Sequence, residues 1–180
     1  MKIYVEDTAA VFIDFQEKLV PVIDGNAQIL KKAAILAQGL KELAVPFTVS
    51  QQYTKGLGET VPELASAIDS FRYLEKTTFS CLQCDEIAAW VKEQGKKNIL
   101  VCGVEAHICV LQTVVDLLEE GYRVFVVADC VGSRVPFDKQ IGLERMKAEG
   151  ALLTTCEAAL FELTGGAKSP HFKAISKLVK

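Results

Sequence analysis

The sequence has little of what several protein classes require. Its 180 residues include only two histidines, the commonest ligands of transition metals in proteins. No apolar run approaches the roughly 20 residues that a helix needs to span a bilayer. Lysine and arginine number 20 against 23 acidic residues, a net charge of −3, whereas a surface that binds nucleic acid is usually basic. We therefore expect neither a membrane nor a nucleic acid as the main partner.

The N-terminus also departs from a secretory signal. Its first residues, MKIYVEDTAA, place acidic side chains where a signal peptide would have its apolar segment, so we expect a cytoplasmic protein. In that compartment cysteines are thiols by default. The length fits a single domain over residues 1–180, and half of the residues are hydrophobic, enough for a substantial core. The six cysteines are Cys81, Cys84, Cys102, Cys109, Cys130 and Cys156.

Short apolar runs alternate with amphipathic segments along the whole chain. The runs lack strict polar–apolar alternation, which is typical of strands buried on both faces. This order predicts an α/β fold, a three-layer sandwich with a mostly parallel, Rossmann-like six-stranded sheet and helices on both faces. The predicted strands are 8–15, 46–50, 99–102, 123–129 and 151–154, and the irregular segment 71–78 is expected to contain a short strand that delivers Lys76. The predicted helices are 27–43, 62–68, 84–94, 110–118, 137–149 and 157–163.

In parallel sheets of this kind, ligands bind beyond the carboxyl ends of the strands. Three residues whose side chains could take part in catalysis follow separate strand ends: Asp14, Lys76 and Cys109. Cys109 lies at a turn into a helix, after a strand broken by Gly103, and a helix N-terminus favours a thiolate. Asp14 could accept the thiol proton, while Lys76 would keep the thiolate charged. Spacing alone leaves a strand-end cap, a surface charge and a core thiol as alternatives.

The motifs VFIDFQEKL, KTTFS and GVEAHICV resemble, in this order, those of the isochorismatase-like cysteine hydrolases. This superfamily includes nicotinamidases, N-carbamoylsarcosine amidohydrolases and isochorismatases. The resemblance extends roughly from Ala9 to Phe161. Through QQYTKGLGETVPEL, KTTFS and GVEAHICVLQT, the sequence is most similar to the isochorismatase domain-containing proteins.

The resemblance implies a catalytic triad with Asp14 as base, Lys76 as electrostatic partner and Cys109 as nucleophile. It also implies a non-proline cis peptide between Val104 and Glu105. The backbone N–H groups of Glu105 and Cys109 would then form an oxyanion hole. The substrate would be a small amide, imide or related acyl compound, cleaved through a Cys109 thioester.

Two departures narrow this expectation. Nicotinamidases carry an Asp-x-His metal motif after the second strand, whereas Gln51, Gln52 and Tyr53 stand here, and amides are weak ligands for transition metals. We expect no metal, no other cofactor and a substrate other than nicotinamide. Vinyl-ether-cleaving isochorismatases lack the cysteine, so Cys109 favours an acyl substrate. Gln16, Tyr53 and Phe79 are the candidate substrate-binding residues, and family resemblance suggests a homo-oligomer.

Other interpretations stay open. Cys81 and Cys84 form a C-x-x-C motif, which could be a redox pair, although no second pair completes a zinc site. His107 precedes Cys109 by two residues and could be its base. The chain could also be a non-catalytic or partner-binding protein on the same fold.

Overall fold

The computed structural model describes residues 2–68 and 70–180. Within them, a single sheet of six strands has the order β3-β2-β1-β4-β5-β6, and every pair is parallel. The two central strands are buried along their whole length, as their unbroken apolar runs predict. The predicted α/β class is therefore confirmed. The strands are β1 (Thr8–Ile13), β2 (Phe47–Gln52), β3 (Leu74–Lys76), β4 (Asn98–Val104), β5 (Arg123–Gly132) and β6 (Leu152–Thr154).

Helices cover both faces of this sheet. The described α-helices are α1 (Asn26–Glu42), α2 (Thr54–Leu57), α3 (Pro62–Ala65), α4 (Asp85–Glu93), α5 (Leu111–Glu119), α6 (Pro136–Ala148), α7 (Cys156–Thr164) and α8 (Phe172–Leu178). Helices α1, α7 and α8 pack together, and α5 packs with α6. None of the described helices is both long and apolar enough to cross a bilayer.

Two elements differ in extent from the sequence prediction. β3 is the short strand expected within 71–78 and ends at Lys76, whereas β5 runs three residues beyond the predicted end at 129. The predicted helix 62–68 is shortened to α3, four residues long. β5 continues because Val131 and Gly132 pair with the last residues of β4, so its extent depends on its neighbour as well as on its own sequence.

Gly103 sets the approach of the two central strands. It pairs with Ile13 across the β1–β4 ladder, and its φ angle is +137°. A Cβ atom at this position would lie 2.2 Å from the carbonyl oxygen of Ile13. Only glycine fits here, and the close contact places the residues that follow β1 and β4 side by side.

Candidate active site

Asp14 and Lys76 form a buried ion pair at the carboxyl ends of the strands. Asp14 directly follows β1 in a left-handed conformation, with a φ angle of +55°, and Lys76 is the last residue of β3. Lys76 Nζ lies 2.7 Å from Asp14 Oδ2, and both side chains are fully buried. The topology has therefore brought together two charges that lie 62 residues apart in sequence.

Three further acceptors surround the ammonium group of Lys76. Gln52 Oε1 lies 2.6 Å from Nζ, and the carbonyl oxygens of Thr78 and Phe79 each lie 3.1 Å away. Burial alone would lower the pKa of Lys76, but the charge of Asp14, together with the charges that Cys81 and Cys109 carry when ionised, acts in the opposite direction, and the net pKa is raised above 10.5. Lys76 is thus a fixed positive charge at neutral pH.

Cys109 lies on the turn between β4 and α5. This turn, Ala106–Val110, makes one wide helical turn, and the Cys109 carbonyl accepts a 2.7 Å hydrogen bond from Thr113 Oγ1. Cys109 is only 7% exposed, and its thiol lies close enough to Asp14 and Lys76 for both charges to shift its pKa. All three residues implied by the resemblance therefore meet at one point.

The electrostatics of Cys109 correct one sequence-based expectation. Burial, followed by the negative charge of Asp14, raises the pKa of Cys109 to about 12, although Lys76 acts in the opposite direction. The thiol is therefore protonated at neutral pH, whereas the helix terminus and Lys76 were expected to favour the thiolate. Depth of burial, which the sequence pattern does not give, decides the sign.

Glu105 anchors the turn that carries Cys109. The peptide bond between Val104 and Glu105 is cis. The Glu105 carbonyl accepts hydrogen bonds from the N–H groups of Ile108 and Val110, at 3.1 and 3.2 Å. Its carboxylate, 7% exposed, accepts from the backbone N–H of Arg134 at 2.9 Å and from Nε at 3.1 Å. Both ends of Glu105 are thus engaged in holding this turn.

The three residues expected to bind substrate have different environments. Gln16 is fully buried, and its amide nitrogen donates to the carbonyl oxygens of Gln52 and Gly58, at 3.0 and 2.7 Å. It therefore holds the loop after β2. Tyr53 and Phe79 expose 52% and 54% of their surface, and the backbone of each is hydrogen-bonded to Lys76. Both residues are therefore held beside Lys76 by their backbones.

The residues at the nicotinamidase metal position are engaged in protein contacts. The amide nitrogen of Gln51 donates to Thr54 Oγ1 and Glu59 Oε2, and its oxygen accepts from the backbone and hydroxyl of Thr60. Gln52 is bound to Lys76. Among residues 2–68 and 70–180, no group of three or more His, Cys, Asp or Glu side chains could hold a metal ion.

The remaining candidates are directed elsewhere. Cys81 Sγ lies 3.7 Å from Ser50 Oγ, whereas Cys84 Sγ lies 3.5 Å from the Glu75 carbonyl oxygen, and both thiols are free. His107 Nδ1 lies 2.9 Å from the hydroxyl of Ser133. Neither observation supports the redox pair or a Cys–His dyad.

Sequence reasoning missed Ser50 and Thr113. Ser50 Oγ donates to Asp14 Oδ1 at 2.7 Å, and Thr113 Oγ1 accepts from the Cys81 N–H at 3.0 Å. Both are hydroxyl residues inside otherwise apolar buried segments. Since buried polar groups require partners, that feature is the signal that could have identified them.

A parallel α/β domain with a buried Asp–Lys–Cys cluster at its strand ends defines the class of protein. The Isochorismatase domain model matches residues 8–158. The chain belongs to this family and has its hydrolase fold.

Relatives extend over most of the chain. Isochorismatase domain-containing protein 2 of Xenopus laevis is 38% identical over 175 residues, covering 97% of this chain and 84% of the relative. The structure of MAR1 ribonuclease from Caenorhabditis elegans is 37% identical with a TM-score of 0.93, covering 99% of this chain and 92% of that one. The YcaC gene product of Escherichia coli, described as an octameric hydrolase of unknown specificity, shares the fold at 23% identity and a TM-score of 0.93, covering 99% and 89%.

Proposed function

We propose that this protein is a cysteine hydrolase that cleaves a small amide, imide or related acyl compound through a Cys109 thioester. One observation carries the proposal: the Cys109 thiol, with a pKa raised to about 12 by burial, lies beside the buried carboxylate of Asp14, whose charge raises that pKa further. A thiol of this kind needs a base to react at neutral pH, and a carboxylate in contact with it is placed to serve.

In the first half of the reaction, Asp14 takes the thiol proton as the sulfur attacks the acyl carbon. The carbonyl oxygen becomes an oxyanion, which the backbone N–H groups of Glu105 and Cys109 stabilise. Asp14 then returns the proton to the departing nitrogen, and the C–N bond breaks to give the thioester.

In the second half, Asp14 removes a proton from water, which attacks the thioester carbon. The C–S bond breaks, the acid leaves, and the proton held by Asp14 returns to the Cys109 sulfur. Lys76 stays charged throughout and stabilises the negative charge that passes between Asp14 and Cys109. Its four acceptors hold it in place while this charge moves.

The surroundings of the thiol suit a small substrate. Cys109 is only 7% exposed, and the exposed residues Tyr53 and Phe79 are hydrogen-bonded to Lys76 through their backbones. Their rings offer planar apolar surface to a small organic amide. No cofactor takes part in any of these steps.

We also propose that the protein is a cytoplasmic homo-oligomer. On the α6 segment, Val135, Phe137 and Ile141 expose 50%, 65% and 45% of their surface, and a second copy would cover them. The octameric state described for the E. coli neighbour supports this. A Phe137→Lys variant should sediment as a smaller species; an unchanged sedimentation coefficient would place the interface elsewhere.

The test of the activity is a screen of small amides, ureas and imides with the purified protein. The matched variants are Cys109→Ser, which keeps the size of the side chain, and Cys84→Ser, which alters a thiol outside the site. Cys109→Ser should lose more than about a thousandfold in turnover, and Cys84→Ser should lose little. Full turnover by the Cys109 variant would refute the proposal.

Two other functions are outcomes of the same screen. Since a neighbour is described as a ribonuclease, single-stranded RNA is included, and cleavage that persists in Cys109→Ser would indicate different chemistry. A non-catalytic, partner-binding protein would turn over none of the compounds. Its Cys109 thiol would also react no faster than a buried structural thiol.

A further inference from the structure

Ser50 contacts Asp14 at two points. Its carbonyl oxygen accepts from the Asp14 backbone N–H at 3.2 Å, and its hydroxyl donates to Asp14 Oδ1 at 2.7 Å. Lys76 binds the other carboxylate oxygen, Oδ2, at 2.7 Å. The two oxygens of Asp14 are thus held separately, which fixes the plane of the carboxylate facing Cys109.

Behind Ser50 lies a second buried thiol. Cys81 Sγ is 3.7 Å from Ser50 Oγ, and both residues are fully buried. A hydroxyl has one proton, and Ser50 gives it to Asp14, so Ser50 accepts from the Cys81 thiol. Burial raises the pKa of Cys81 to about 12, which keeps that thiol protonated as this direction requires.

The same thiol-bearing segment is tied to the nucleophile. The backbone N–H of Cys81 donates to Thr113 Oγ1, which in turn donates to the carbonyl oxygen of Cys109. Cys81 therefore connects to Asp14 through Ser50 and to the backbone of Cys109 through Thr113. These contacts give Cys81, the first cysteine of the C-x-x-C motif, a role that needs no redox chemistry.

We propose that Ser50, oriented by the Cys81 thiol, is the positioning residue that aims the Asp14 carboxylate at the Cys109 thiol. The proposal rests on the proposed function, since it assigns Ser50 to the base of that reaction. Ser50 touches neither substrate nor the reacting sulfur and acts only through Asp14. Without the hydroxyl, the Asp14 carboxylate would keep Lys76 on Oδ2 but lose its hydrogen bond on Oδ1, and with it the alignment for proton transfer.

The experiment measures the rate at which iodoacetamide alkylates Cys109, followed by intact mass and peptide mapping. It needs no knowledge of the natural substrate. The variants are Ser50→Ala, which removes the hydroxyl, and Ser50→Thr, which retains it. Thr48→Ala is the matched control, because it removes a hydroxyl two residues earlier on β2 with 8% exposure. Each variant is assayed at a temperature where circular dichroism shows it fully folded.

Ser50→Ala should slow alkylation about tenfold, because a hydrogen bond to a charged group is lost from the base. Thr48→Ala should stay within about twofold, and Ser50→Thr should recover to within about threefold of the wild-type rate. A folded Ser50→Ala variant that reacts at the wild-type rate would overturn the proposal. So would equal losses in Ser50→Ala and Thr48→Ala, or a folded Ser50→Thr variant as slow as Ser50→Ala.

Cys81 variants test whether the Cys81 thiol orients Ser50. Cys81→Ser keeps a donor to Ser50 and should alkylate at Cys109 within about twofold of wild type, whereas Cys81→Ala should be slower. Equal rates in the two variants would remove Cys81 from the proposal. If instead Cys109 itself fails to react in the wild-type protein while turnover persists, it is the proposed function that fails.

Discussion

Lys76 Nζ lies 2.7 Å from Asp14 Oδ2 with both side chains out of contact with solvent. A buried charge without its partner is strongly unfavourable, so each of these groups requires the other. The pair therefore contributes to the integrity of the fold as well as to the proposed chemistry. Since β1 and β3 are not adjacent strands, it also ties the edge of the sheet to its centre.

Lys76→Met should lower the free energy of unfolding by about 3–5 kcal/mol, because it leaves the Asp14 carboxylate buried and unpaired. Urea unfolding at pH 7 measures the loss. The control is Arg145→Met, which removes an exposed ion pair with Glu149 and should cost less than about 1 kcal/mol. Similar losses in the two variants would show that the buried ion pair stabilises the fold no more than an exposed one.

Alkaline pH should destabilise the protein through its buried thiols. The pKa of both Cys81 and Cys109 is raised from 9.0 to about 12 by burial. The unfolded chain loses these protons first, so the stability they contribute is fully present below pH 9 and is lost between pH 9 and 12. Each thiol should steepen the decline by up to about 1.4 kcal/mol per pH unit.

Urea unfolding between pH 8 and 11 checks this in the wild type and in Cys81→Ser. The serine does not ionise in that range. The free energy of unfolding of the variant should therefore fall less steeply with pH, and the difference in slope is the contribution of the Cys81 thiol. Identical slopes in the two proteins would mean that Cys81 ionises as easily in the folded state as in the unfolded chain.

Asp14→Asn should lower the pKa of the Cys109 thiol and also lower turnover. Burial and the charge of Asp14 both raise the pKa of Cys109, so removing that charge should bring the pKa below about 12. Thiolate absorbance near 240 nm, taken as the difference from a Cys109→Ser partner variant, measures the titration. Turnover should nevertheless fall, because the base is gone. A more acidic thiol with undiminished turnover would mean that Asp14 is not the base.

β1 and Cys109 show what could and what could not be predicted from the sequence. The position of β1 was predictable because a strand buried on both faces leaves an unbroken apolar run, TAAVFI. The position of Cys109 was predictable from the motif around it. Its protonation state was not, since that depends on how deeply the completed fold buries it and on the charge of Asp14.

The supporting residues show the same limit. Ser50 contacts Asp14 across 36 residues of sequence, and Gln52 reaches Lys76 across 24. Such partners depend on strand register and side-chain direction, which no local pattern encodes. Gln16 is one of the candidate substrate-binding residues, but its hydrogen bonds to the loop after β2 could only be seen in three dimensions.

Gly103→Ala should be far more disruptive than its size suggests. The added Cβ would lie 2.2 Å from the Ile13 carbonyl oxygen, so the β1–β4 contact and the turn beyond it must move. A loss of more than about 2 kcal/mol is expected, with a matching loss of Cys109 reactivity. Gly95→Ala is the control, because Gly95 also has a positive φ angle of +61° but no atom within 4 Å of the added Cβ. Equal losses of stability in the two variants would mean that the positive φ angle, and not the clash with Ile13, causes the loss.

The most direct measurement concerns the covalent intermediate. An amide that the protein turns over is mixed with it, quenched in acid within milliseconds and analysed by intact mass and peptide mapping. We predict an acyl group on Cys109 that disappears on a longer time course and never forms in Cys109→Ser or Asp14→Asn. Turnover without any adduct on Cys109, or an adduct on another residue, would contradict the assignment of Cys109 as the nucleophile.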